Sequence, residues 1–274
     1  MLPTQRRQAI LAQVRKHNAV SADDLAREFG VSVETIRRDL RRLGDKGLLD
    51  RVYGGATRPT GRSSEGSFAA RSVRRVAAKR AIARLAATFV EPGDTVIIDV
   101  GTTALEVARA LPAAFEGRVL TNSVPVAMEL SARREIELLL CGGQVRHGDG
   151  ACAGAHAEAF FAEFYADRAF LGSGGVHPQA GLTDYYPAEV VVRRTIIDHT
   201  ATTYVLADSS KLGEIAVHRV CTLDRLTAVI TDDAENSTAF AALAAADVTL
   251  LRAPAAEQPP LTAAGGRPRL TAAP

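Results

Sequence analysis

Cysteine is scarce in this chain. Cys141, Cys152 and Cys221 are odd in number and widely separated. A disulfide framework or a zinc ribbon needs paired, closely spaced cysteines, so neither is expected. Buried, reduced thiols in a cytoplasmic protein are the simpler reading. The six histidines are scattered as well, and no metal site, cofactor or catalytic set emerges. Long apolar runs are also missing. None approaches the ~18 residues of a membrane span, and the N-terminus lacks the hydrophobic core of a signal peptide. A cytoplasmic protein without membrane contact is therefore expected. A large net charge is absent too, at +2, but the charge is unevenly spread. Residues 1–62 carry 13 Lys and Arg against 7 Asp and Glu, and the remainder carries 20 against 24. A basic head on an acidic body confines any contact with a polyanion to the head.

The head holds the most informative stretch, Ser32 to Leu40. Ser32 can accept from free N–H groups at a helix start. Ile36, Leu40 and Leu43 then recur with helical spacing and form one apolar stripe. Glu34, Arg38, Arg41 and Arg42 fall on the opposite side, with Thr35 and Arg37 on the flanks. Such a helix suits a DNA major groove, because arginine can bridge guanine O6 and N7 and can neutralise phosphates. A solvated helix face is the alternative for a basic helix in isolation.

Its surroundings favour DNA. Residues 5–16 read as a helix with Ile10, Leu11 and Val14 on one face. A second helix opens at Ser21, with Asp24 completing a capping-box pattern, and stops at Gly30 as at a left-handed cap. Residues 21–43 are thus the size of a helix-turn-helix unit. Residues 47–55 read as a short hairpin, a wing offering Arg51 and Tyr53 to the DNA backbone. Asp39 borders the buried stripe and is expected to orient a neighbouring arginine.

Residues 57–67, rich in Gly, Ser, Thr, Pro and Arg, read as a hinge. A helical stretch over 72–90 follows. Apolar strands then alternate with helical patterns: strands near 96–98, 118–120, 137–141, 168–171, 203–207 and 228–230, and helices near 103–111, 124–132, 154–165, 187–200 and 236–245. This alternation predicts a mainly parallel sheet with helices on both faces. Ligands of such folds bind outside the carboxyl ends of the strands. Three polar loops stand there: Asp99 with Gly101, Thr102 and Thr103; Thr121, Asn122 and Ser123; and the run Asp208 to Lys211. Each could be only a capped turn. Together they predict an oxyanion site, with Lys211 as its point charge.

These motifs resemble the DeoR-type bacterial transcriptional regulators. The head matches through Arg6, Ile10, Val14, Ser32, Thr35, Ile36, Arg37, Arg38, Asp39 and Leu40. The second domain matches through residues 99–103, 121–123, 142–143, 167–172, 181–183, Glu189 and 207–211. The resemblance implies a winged helix-turn-helix domain (1–57), a linker (58–72) and an effector-sensing α/β domain (73–252) similar to sugar-phosphate isomerases. A tail over 253–274 is too poor in apolar residues to bury itself and is expected to be disordered. It also implies operator DNA as partner, a phosphorylated sugar as effector, Glu189 in the effector site, and a homodimer or higher homo-oligomer in a bacterial cytoplasm. In one respect the chain departs from the family. Residues 172–177 read Gly-Ser-Gly-Gly-Val-His, with Gly174 and His177 where the isomerases carry catalytic aspartates. This argues against the main alternative, an isomerase-like enzyme with an appended DNA-binding head. A plain architectural DNA binder is a further alternative.

Overall fold

The computed structural model of the chain describes residues 2–17, 19–45, 48–52, 54–57, 65–232, 238–246 and 248–254. Tyr53 lies outside them, as do residues 58–64 of the expected linker and all of 255–274.

The head runs α1 (Pro3–His17), β1 (Ala19–Ser21), α2 (Ala22–Phe29), α3 (Val33–Asp45), β2 (Asp50–Val52) and β3 (Gly55–Thr57). Ser21 starts α2, its Oγ accepting from the N–H groups of Asp23 and Asp24. The reciprocal half of the capping box is not made, because the Asp24 carboxylate turns to Arg27. Gly30 ends α2 with φ 63°, in the left-handed region. Ile10, Val14, Leu25, Ile36, Leu40, Leu43 and Leu49 close one core beneath the three helices. The expected hairpin is a three-stranded sheet, because β3 pairs antiparallel with β1 as well as β2. A three-residue strand is too short to show alternation in sequence. Gly55 makes the pairing possible: a Cβ there would lie 2.0 Å from the Val20 carbonyl oxygen.

Within the expected linker, Ser67 caps a short helix α4 (Phe68–Ser72). The helical stretch expected from 72 begins only with α5 (Val76–Ala87), because Arg75 takes φ 50° and breaks it. There follow β4 (Thr95–Ile98), α6 (Thr102–Ala110), β5 (Gly117–Thr121), α7 (Val124–Leu130), β6 (Ile136–Leu140), β7 (Gln144–Val145), β8 (Cys152–Ala153) and α8 (Ala155–Ala162). The chain continues through β9 (Ala166–Leu171), β10 (Gly175–His177), β11 (Gly181–Asp184), α9 (Pro187–Asp198), β12 (Thr200–Leu206), β13 (His218–Cys221), β14 (Ala228–Asp232), α10 (Thr238–Ala244) and β15 (Leu250–Ala253).

Seven strands form the central sheet in the order β15-β14-β12-β9-β4-β5-β6, every pair parallel. Both faces are covered. Val96 and Ile98 pack with α5, α6 and α7 on one side, and Ile97 packs with α8 and α9 on the other, following the period of two. Two small antiparallel additions, β10-β11-β13 and β7-β8, are not legible in the sequence pattern. The tail boundary also needs correction: Ala253 is buried and pairs with Asp232 as the end of β15. Cys141 and Cys152 are buried and Cys221 half-buried, all three as free thiols. Among the described residues no helix is long and apolar enough to cross a membrane.

Candidate functional site

From β4 the chain moves outward through β5 and β6, then returns to the other side of β4 with β9, β12 and β14. The reversal therefore lies between β4 and β9, where a crevice opens outside the carboxyl ends. A cavity of about 360 Å³ occupies this place. Residues 100–104 after β4, 172–174 after β9, and Asp208, Ser210 and Lys211 after β12 line it, together with residues of the α4–α5 segment.

Of the expected effector residues, Gly101, Thr102, Thr103, Glu189 and Lys211 line the cavity. Gly101 caps α6 with φ 132° and no side-chain bond. The first-turn N–H groups, which no helix satisfies internally, belong to residues on the cavity wall. Asp99 lies beneath, fully buried. Thr121, Asn122 and Ser123 are buried but do not line the cavity. They stand at the end of β5, on the side of β4 away from the reversal. The Thr121 hydroxyl donates to the Ile98 carbonyl (2.6 Å), and Ser123 caps α7 by accepting from Val126 N–H (3.3 Å). Both polar side-chain atoms of the buried Asn122 between them find no hydrogen-bond partner among the described residues.

A buried ion cluster forms the floor. Arg193 of α9 reaches three carboxylates: Asp99 through Nε (2.6 Å), Glu189 (3.2 Å) and Asp184. Asp99 also accepts the Gly172 N–H (3.0 Å), and Asp184 accepts those of Tyr185 and Tyr186. Arg146 pairs with Asp149 and Glu189 and lies 3.6 Å from the centre of the Tyr186 ring. Four carboxylates thus share two guanidiniums. Glu189 carries the consequence: burial pushes its pKa up to about 7, against the pull of Arg193 and with the push of Asp184. The sign of the pH effect follows by linkage. The unfolded chain releases this proton near 4.5 and the folded chain near 7, so folding takes up a proton between those values. The stabilising contribution is full below 4.5 and is lost as pH rises through 7. Wild-type stability should therefore fall relative to Glu189→Gln between pH 5 and 8, by at most about 1.4 kcal/mol per pH unit. Denaturant unfolding of both proteins across that range checks it; parallel profiles would refute the assignment.

The rim is basic, and most of it was not foreseen from the sequence. Arg71, Arg74, Arg75 and Lys79 all line the cavity. Arg75 pairs with Asp208 (3.0 Å) and Asp232 (2.8 Å). Lys79 donates to the carbonyls of Arg71 and Arg74, and burial lowers its pKa to about 8. Lys211 stands 4.0 Å from Glu65, near the Tyr185 ring. The signal that could have revealed this rim is Arg71, Arg74 and Arg75 crowded into five residues of an acidic domain. In the run 172–177, Gly174 is packed so that a Cβ would come within 2.9 Å of Asp184 Cα and the Thr183 carbonyl. His177 serves its own turn, with Nδ1 accepting from the N–H groups of Gln179 and Ala180.

In the head, Glu34, Arg37, Arg38, Arg41 and Arg42 are all exposed on α3. Ser32 Oγ accepts the Thr35 N–H (3.2 Å) and lies 2.8 Å from the Thr35 hydroxyl. Arg51, exposed on β2, lays its stem by Gly44 near the end of α3. Beneath this face Asp39 is buried and pairs with Arg6 of α1 at 2.6 Å, with Arg7 at 3.6 Å. That bond fixes α3 against α1 and leaves the open-face arginines uncommitted to the core.

A winged helix-turn-helix head joined to a parallel α/β domain with a charged cavity at its strand reversal defines the class: a two-domain DNA-binding protein with a sensor module. Residues 6–62 match the DeoR-like helix-turn-helix domain and residues 74–233 the DeoR C terminal sensor domain. The chain belongs to the DeoR family. It is 36% identical to the HTH-type transcriptional regulator FruR of Bacillus subtilis, over 87% of this chain and 94% of that one. It is 33% identical to the glycerol-3-phosphate regulon repressor of Escherichia coli, over 85% and 92%. Among solved structures, a ribose 5-phosphate isomerase from Methanocaldococcus jannaschii aligns with a TM-score of 0.36 at 19% identity, covering 48% of this chain and 52% of that one. A probable sor operon regulator from Shigella flexneri aligns with a TM-score of 0.43 at 13% identity, covering 62% and 90%.

Proposed function

We propose that this protein represses a carbohydrate-utilisation operon and that a phosphorylated sugar or related metabolite, bound in the cavity, changes its affinity for operator DNA. One observation carries the reading: at the strand reversal, the amide-rich start of α6 and Lys211 share a cavity with the carboxylates of Asp149, Asp184 and Glu189. Amides and cations suit a phosphate, while carboxylates accept from sugar hydroxyls. A polyhydroxylated phosphate ester matches both halves. On this reading the cavity senses and does not catalyse, because Gly174 supplies no carboxylate where an isomerase needs its base. A two-fold dimer in the cytoplasm is the minimal assembly for reading paired half-sites. The test is operator binding with a panel of sugar phosphates and the matching free sugars. A response to at least one phosphate, absent with its free sugar, supports the reading; indifference to the whole panel refutes it.

For the head, the expectation concerns α3. Arg38→Ala or Arg41→Ala should weaken operator binding without lowering the melting temperature, since both side chains are exposed. A base-reading arginine should cost roughly 1–3 kcal/mol and relax specificity at one position, whereas a phosphate-reading one should lower the salt slope by about one. Unchanged affinity after joint replacement of Arg38, Arg41 and Arg42 would remove α3 from the DNA interface.

A further inference from the structure

Every charged group on the cavity floor comes from the sheet domain itself. One carboxylate on the rim does not. Glu65 lies on the segment that leads from the head into the second domain, eight positions beyond Thr57, the last residue of β3. Its side chain is only 12% exposed and faces the cavity. There it meets Arg71 at 3.0 Å and Lys211 at 4.0 Å. Arg71 is oriented for this contact, its Nε donating to the Gly66 carbonyl at 2.9 Å.

We propose that Arg71 and Lys211 form the subsite for the effector's phosphate, and that the Glu65 carboxylate occupies it as an internal stand-in until a phosphate displaces it. The proposal rests on the reading of this cavity as an effector pocket and adds the residue that competes with the effector. The chemistry is one of matched charge. A carboxylate brings one negative charge to two cations and makes a close pair with only one of them. A phosphate brings up to two charges and three acceptor oxygens, enough to bond both. Burial also raises the pKa of Glu65 against the pull of Arg71 and Lys211, so its carboxylate gives up hydration to sit there. Ligand affinity is lowered by the fraction of molecules in which the subsite is already filled; occupancy of nine in ten weakens it about tenfold. Displacement also frees the end of the segment nearest the head, which gives the cavity a physical link to DNA binding.

The test uses the full-length protein, titrated with inorganic phosphate by calorimetry. Glu65→Gln keeps the shape and removes the charge, so it should bind phosphate about tenfold more tightly than wild type. Glu65→Asp keeps the charge and should stay within about threefold of wild type. Operator affinity of Glu65→Gln without phosphate should match that of wild type saturated with it. Glu65→Ala repeats the measurement should Glu65→Gln not be recovered as folded protein. A purely structural Glu65–Arg71 pair predicts the opposite sign, because losing it would loosen Arg71 and weaken phosphate binding. Equal or weaker binding by Glu65→Gln, with wild-type binding still abolished by Lys211→Ala, overturns the stand-in and leaves the effector pocket in place. Absence of binding to phosphate and to every sugar phosphate, in wild type and variants alike, overturns both.

Discussion

Arg193→Ala should destabilise the second domain by about 3–5 kcal/mol, the usual cost of removing one partner from a buried ion pair. Its side chain is 3% exposed and is the group on which Asp99 and Asp184 converge. Without it, those carboxylates and Glu189 share a buried floor where, among the described residues, Arg146 remains, pairing with Glu189 and not with Asp99 or Asp184. Set against a typical domain stability of about 5–15 kcal/mol, such a loss is large. Arg193→Lys should recover less than half of it, because one ammonium cannot span three carboxylates as a planar guanidinium does. Urea unfolding of the three proteins measures both effects. A loss below about 1 kcal/mol for the alanine variant would mean that the cluster is not what holds α9 on the sheet.

The second large effect is on regulation. Lys211→Ala should abolish the influence of a phosphorylated effector on operator affinity. The reasoning is linkage: an effector shifts the DNA equilibrium only through its differential affinity for the two protein states. Lys211 sits on the cavity rim of the second domain, while the exposed arginines of α3 belong to the head. On the proposed reading, removing the cation takes away the phosphate contact and leaves the exposed arginines of α3 in place. Gel-shift titrations with and without each sugar phosphate compare the two proteins. An undiminished response in the variant would place the effector elsewhere.

How much of this could be read in the sequence depends on the range of the forces involved. The stripe of Ile36, Leu40 and Leu43, the caps at Ser21 and Ser32, and the stop at Gly30 are local, and each is visible within a few residues. The strand–helix alternation is equally local and gives the parallel sheet. Strand order is not local. Nothing in residues 99–103 and 121–123 says which loop meets the reversal and which lies one strand away, so both looked alike. The Arg193–Asp99 contact spans 94 positions and has no sequence period. The pair of Arg193 with Glu189, at i+4 on α9, is local by comparison. The basic residues of α4 and α5 read as a linker and an ordinary amphipathic helix until the fold brought them over the cavity. The two- to four-residue strands β7, β8, β10, β11 and β13 are too short to show alternation at all.

Arg75 has one more consequence, a mechanical one. It is the non-glycine residue with positive φ among those described, a posture that costs an ordinary side chain roughly 1–2 kcal/mol. Asp208 and Asp232, at the ends of β12 and β14, clamp its guanidinium and hold the backbone in that posture. The segment from Glu65 to Arg75 is therefore a lever with unequal ends. Its inner end is bolted to the sheet by two carboxylates and by the grip of Lys79 on the Arg71 and Arg74 carbonyls. Its outer end meets the sheet domain through the Glu65 carboxylate, 4.0 Å from Lys211. On the proposed displacement of Glu65, the end that faces the head would swing about a fulcrum fixed at Arg75.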